Sequence, residues 1–146
     1  MKKLLILFVL PFFTMCTTTQ FNVRDDFKSV SEKEKTEFLK QKNATSNSKS
    51  IIILTQGFKG GKVVVKQNEK TIYSAYPITN LKTQYADSFS FVNTENITVN
   101  DQFAKEELLL ESKKIKPYKF IYIMKETSND KVSYKVTLSN TLRPLQ

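Results

Sequence analysis

From Ile51 onward, apolar and polar residues alternate along the chain. In KVSYKVTLS (131–139), Val132, Tyr134, Val136 and Leu138 take every second place, with polar residues between them. SFSFV (88–92) sets Phe89 and Phe91 against serines, and the stretch 97–103 places Ile97, Val99 and Phe103 on one side. A period of two sends successive side chains to opposite faces of a strand. IIILTQ (51–56), KVVVKQ (62–67) and TIYSAY (71–76) are β-branched and aromatic runs of strand length. KFIYIMKE (119–126) has Phe120, Tyr122 and Met124 on one face and Ile121 and Ile123 on the other, the mark of a strand buried on both sides. Leu108 to Leu110 is apolar but too short to type.

Turn signals separate these runs: KGG, QNEK, NTEN, KPY and TSND. Strands of about five to eight residues at spacings of roughly 8 to 12 point to a sandwich or barrel. No helical period lies between them, which argues against a parallel α/β sheet. The expectation is an all-β domain over 51–146, an antiparallel β-sandwich of about seven or eight strands. It would hold one two-layer core, with the other face of each strand in water.

The stretch 17–50 is different. Ser31 and Glu34 have the spacing of a capping box, which predicts a helix over about 32–41. Phe27, Val30, Phe38 and Leu39 form a thin apolar stripe. Such a helix either stays solvated or docks on the domain or a partner. NATSNSKS (43–50) is small, polar and without periodicity, as in a linker. Residues 16–50 are therefore expected as a tether with a short helix.

The first residues run MKKLLILFVLPFFTMC. Lys2 and Lys3 precede an apolar run from Leu4 to Phe13, which is too short for the roughly 20 helical residues that span a bilayer. Pro11 would also break a long helix. A charged start, short apolar middle and polar exit make an export signal. Cys16, the one cysteine in the chain, closes it. This arrangement resembles a bacterial lipoprotein signal over residues 1–16, with FTMC in the place of its lipid-attachment box. The resemblance implies removal of a 1–15 signal peptide and a diacylglycerol thioether on Cys16, which becomes the mature N-terminus. The family favours Leu three places before the cysteine and a small residue just before it, where this chain has Phe13 and Met15. The rival is ordinary signal cleavage near Cys16 or Thr19, which leaves a soluble exported protein.

Charge and composition then limit the chemistry. The formal charge is +9, and loss of Lys2 and Lys3 with the signal leaves +7. Such a chain is suited to anionic head groups, acidic glycans or acidic proteins. The chain has no histidine, which removes the commonest general base and metal ligand, and one cysteine forms no internal disulfide. Its three glycines all lie in TQGFKGGK, but Gln56 stands where a phosphate loop needs its first glycine and Val63 where it needs a hydroxyl. A hairpin turn is the better account. KKIKPYKFIYIMK (113–125) mixes lysines with aromatics, yet its alternation reads as a buried strand and not as a nucleic-acid surface. The carboxylates Asp25-Asp26, Glu106-Glu107 and Glu111 sit in polar runs, where solvation is the default. No catalytic residue, metal site or cofactor is expected. The connection between Tyr76 and Ser88 is the longest and is a candidate binding loop by position.

The function expected from sequence is a membrane-anchored, non-catalytic binding or structural module of the cell envelope, held by lipid on Cys16. It would lie at the outer membrane if the cell has one, with an envelope protein or acidic glycan as partner and no nucleic acid. The alternative is a soluble exported β-domain, periplasmic or secreted, that binds or inhibits a partner. A hydrolase of envelope polymers ranks last.

Overall fold

The computed structural model describes residues 18–146. Its elements run β1 (Thr18–Val23), α1 (Glu32–Gln41), β2 (Lys49–Leu54), β3 (Val63–Gln67), β4 (Lys70–Ala75), β5 (Asp87–Val92), β6 (Ile97–Asp101), β7 (Glu106–Leu110), α2 (Ser112–Ile115), β8 (Phe120–Ser128) and β9 (Lys131–Ser139). Two sheets result, ordered β1-β9-β8-β2-β5 and β4-β3-β6-β7. This is the expected all-β sandwich, with nine strands among the described residues. The doubtful run Leu108–Leu110 is a strand, β7, paired along its length with β6.

The expected antiparallel pairing holds only in part. The smaller sheet is antiparallel throughout. The larger is mixed: β2 lies parallel to β8, and β1 parallel to β9. The physical reason is visible in β2. Its Ser50, Ile51, Ile52, Ile53 and Leu54 are all buried, so the strand needs cover on both faces and takes a central place. Ile52 and Leu54 join the core between the sheets, beside Ile121 and Ile123 of β8 and Val136 of β9. Ile51 and Ile53 face the other way and meet Phe120, Tyr122 and Leu142 in a second core. Each fully buried isoleucine contributes about 1.5–3 kcal/mol relative to exposure.

What covers that second face corrects the tether reading. The stretch 18–50 is part of the folded body. β1 makes six registered pairs with β9, from Thr18 with Ser133 to Val23 with Leu138. α1 occupies the expected residues with the expected capping box: Ser31 Oγ accepts from the Glu34 amide at 3.2 Å, and Glu34 Oε2 accepts from the Ser31 amide at 2.9 Å. Its Phe38 and Leu39, with Phe27 and Val30, pack on the second core. Asp25 fixes the approach, accepting from Ser139 Oγ at 2.6 Å and from the amides of Asn140 and Thr141 at 2.7 and 3.2 Å. The Val30 amide donates to the Leu142 carbonyl, so the C-terminal residues close the same layer. The described residues thus form three layers: the small sheet, the large sheet, and a cover made by α1, Phe27, Val30 and the C-terminal residues Leu142 and Leu145. Among the described residues, no helix is long and apolar enough to cross a membrane.

Candidate functional site

The strand directions sort every connection to one of two ends. At one end β2 runs out at Leu54, beside the outgoing end of β8 and the incoming end of β5. Val63 of β3 pairs there with Ala75 of β4 and Asp101 of β6. The connections 55–62, 76–86, 102–105 and 129–130 therefore gather at this end. Thr18 joins them, since it pairs with Ser133, which in turn pairs with Glu126.

The glycine segment is the hinge of this end, but it is not the hairpin expected from sequence. It carries the chain from one sheet to the other, because β2 and β3 belong to different sheets. Gly57 has φ +88°, and a Cβ there would stand 1.8 Å from the Lys125 carbonyl oxygen, so only glycine fits. Thr79 pins the candidate loop across this segment: its hydroxyl accepts from the Phe58 amide at 3.0 Å and donates to the Thr55 carbonyl at 2.7 Å. Asn80 Oδ1 then accepts from the amides of Lys82 and Thr83, turning the loop back.

A groove of about 460 Å³ opens between the glycine segment, the 102–105 turn and the β8–β9 hairpin. Lys59, Phe103, Glu106, Asp130 and Val132 are among its lining residues, with Lys125 at its base. Lys125 and Asp101 form a buried ion pair between the sheets. Asp101 Oδ1 also accepts from the amides of Phe103 and Ala104, at 3.1 and 2.9 Å, and so shapes the turn that presents Phe103. Tyr134, the cross-strand neighbour of Lys125, lies fully buried. Burial pushes its phenol pKa up, and the negative charges of Asp101 and Glu106 push it further. The paired Asp101 and Lys125 act as a fixed floor for the turn, while the Tyr134 hydroxyl beside them is buried without a hydrogen-bond partner.

Alternation carried one step further would have found the pair. Asp101 follows Ile97 and Val99 at the inward interval, and Lys125 follows Ile121 and Ile123. The sequence reading passed over Asp101 and put Phe103 inward. Instead the chain leaves β6 at Asp101, and Phe103 is 84% exposed in the turn.

The remaining sequence candidates scatter. Asp25 and Asp26 lie at the opposite end, where Asp25 caps backbone amides and Asp26 binds Arg24. Glu111 meets Lys113 and Lys114 at 3.4 and 3.6 Å. The lysines of 113–125 do not form one patch: Lys119 Nζ donates to the carbonyls of Ser46 and Lys49, and Lys125 points into the sandwich. Desolvation lowers the Lys119 pKa, with Lys35 adding repulsion. Among the described residues, no group of three or more His, Cys, Asp or Glu side chains converges. Cys16 lies outside the described residues. A scan of protein-family models and a search of curated proteins both find no match for this chain.

Proposed function

We propose that the chain is a lipid-anchored lipoprotein of the bacterial envelope, working as a non-catalytic binding or structural module. The observation that carries this reading is the order of the N-terminal residues: two lysines, an apolar run too short to span, and then the one cysteine of the chain. One thioether-linked diacylglycerol with an additional acyl chain supplies enough buried methylenes, at about 0.8 kcal/mol each, to hold the protein firmly. Two features support a module over a catalyst. The side chains gathered at the loop-bearing end are lysines, a buried ion pair and exposed apolar groups, with no nucleophile set beside a base. Of the carboxylates singled out in the sequence, Asp25 caps backbone amides, Asp26 pairs with Arg24, and Glu111 pairs with Lys113 and Lys114.

The test is the intact mass of the mature native protein, with partitioning between detergent and aqueous phases. The reading expects a chain starting at Cys16, heavier by the acyl groups and found in the detergent phase. Cys16→Ser moves it to the aqueous phase. An unmodified sulfur, or a terminus downstream of residue 16, would favour the soluble exported domain instead.

A further inference from the structure

Six large apolar side chains stand exposed on the described surface, and four of them belong to the connections at one end: Phe103 (84%), Leu81 (84%), Ile78 (68%) and Tyr76 (65%). The other two, Val23 and Leu109, lie elsewhere, at the far end of β1 and on β7. Ile78 and Phe103 flank consecutive glycines: a Cβ on Gly60 would meet Ile78 at 3.5 Å, and one on Gly61 would meet Phe103 at 2.9 Å. Isolated apolar groups on a surface need no explanation, but a cluster at one end does.

The same end is basic. Segments 55–62, 76–86, 102–105 and 129–130 hold Lys59, Lys62, Lys82 and Lys105 against Asp130, and at the adjoining strand ends Lys131 stands with Asp87 and Glu106. Glu126, on the strand behind, is held by Lys135 at 2.8 Å. Apolar tips ringed by lysine suit the boundary of an anionic bilayer, where rings and aliphatic chains enter and ammonium groups remain at the phosphates.

The third observation is where the chain enters. Thr18 opens β1 at this end, and Thr17 alone separates it from Cys16. Two peptide units reach about 7 Å at most. A lipid on Cys16 therefore brings this end, and not the opposite one, to the membrane.

We propose that the loop-bearing end docks on the lipid surface, with Phe103 and Ile78 entering the interface and the lysines around them meeting anionic head groups. The proposal rests on the lipoprotein reading and adds an orientation to it. The opposite end, with the 68–69 and 93–96 turns, then faces away from the membrane.

Lipidation of Cys16 leaves the chain without a free thiol, so a cysteine introduced elsewhere can be labelled uniquely. The full mature protein carrying Phe103→Cys, or Asn68→Cys as control, is labelled with an environment-sensitive fluorophore. It is then reconstituted in phosphatidylethanolamine–phosphatidylglycerol vesicles containing a lipid-borne quencher. Both positions are exposed, and because Asn68 has φ +48° in its turn, where asparagine is favoured over cysteine, a thermal melt of each variant is compared with wild type. Intact mass is read first on each sample. With acylation present, the expected result is quenching at 103 several-fold above that at 68. Equal quenching at the two sites, or more at 68, overturns the orientation while leaving the anchor intact. A mass without acyl groups overturns the lipoprotein reading, and the orientation falls with it.

Discussion

At the residue scale, an ion pair, two glycines and one aspartate have sharp consequences. Lys125 and Asp101 are worth most as a pair. Removing one partner strands a charge between the sheets, so Lys125→Met is expected to cost about 3–5 kcal/mol in urea unfolding. Adding Asp101→Leu should recover only part of the loss, because the amides of Phe103 and Ala104 lose the carboxylate that turns them. A double variant as unstable as Lys125→Met would show that the ion pair is not the main term. Two glycines of equal backbone strain separate sterics from φ. Gly57 and Gly60 have φ +88° and +84°, but a Cβ on Gly57 strikes a carbonyl while one on Gly60 makes ordinary contact with Ile78. Gly60→Ala should cost about 1–2 kcal/mol, and Gly57→Ala clearly more, compared by thermal melts. Asp25 gives a pH signature. The hydroxyl of Ser139 and then the Asn140 amide hold its carboxylate below the usual value of 3.8. A depressed folded pKa stabilises above the unfolded value and is lost as pH falls through the folded one. The stability advantage of wild type over Asp25→Asn should thus be full near neutrality and shrink below about pH 4. An advantage that stays constant to pH 2 would mean the charge plays no part.

At the element scale, the cap on α1 is the plainest handle. Ser31→Ala removes the acceptor for the Glu34 amide and is expected to cost about 1 kcal/mol. For a domain of this size that is roughly 3–4 °C in Tm. A larger loss would mean that α1 covers Ile51, Ile53 and Phe120 less dispensably than a frayed helix allows. The same helix shows what local pattern can and cannot reveal. Its boundaries were legible because capping chemistry is local, within Ser31–Glu34. Seven of the eight strands after residue 48 were legible because alternation and β-branched runs are local too, whereas the short run of β7 could not be typed. What the pattern missed was partnership. TTQFNV (18–23) has two apolar residues in six and no clear alternation, so nothing in it announces β1; it is a strand because β9 offers it an edge. Parallel pairing of β2 with β8 joins residues about 70 apart in the chain and leaves no local mark. The continuous run IIIL did hint at a second cover, since a two-layer sandwich with a wet face would not bury Ile51 and Ile53. The groove and its apolar rim were illegible for a like reason, because they assemble from four connections that only the topology brings together.

At the scale of the whole molecule, the decisive fact is that Thr18, two residues after Cys16, already lies in a strand of the folded body. A spacer of some thirty residues would let the domain wander from the membrane. A flexible chain of that length has an end-to-end distance of about 30 Å, several times the Debye length of about 8 Å at physiological salt. Lysines at that distance would hardly sense anionic lipid. On the proposed lipidation of Cys16, one residue would separate anchor from strand, so the effective concentration of the loop-bearing end at the surface would be high and modest contacts would suffice. Linker length should therefore control orientation without touching the fold. Inserting ten glycine and serine residues between Thr17 and Thr18 is expected to leave Tm unchanged within a degree or so, because β1 keeps its six pairs with β9. It should also lower quenching of a label at position 103 toward the level at position 68, most strongly at high salt, where the lysine contribution is screened. Deleting 18–27 does the opposite: it strips β9 of its neighbour and Asn140 of its cap, and should lower Tm by many degrees. If the insertion destabilises the protein as much as the deletion, residues before Thr18 belong to the fold and the short-leash argument fails. If neither treatment changes quenching at 103, contacts of the end itself hold it on the lipid and the leash is incidental.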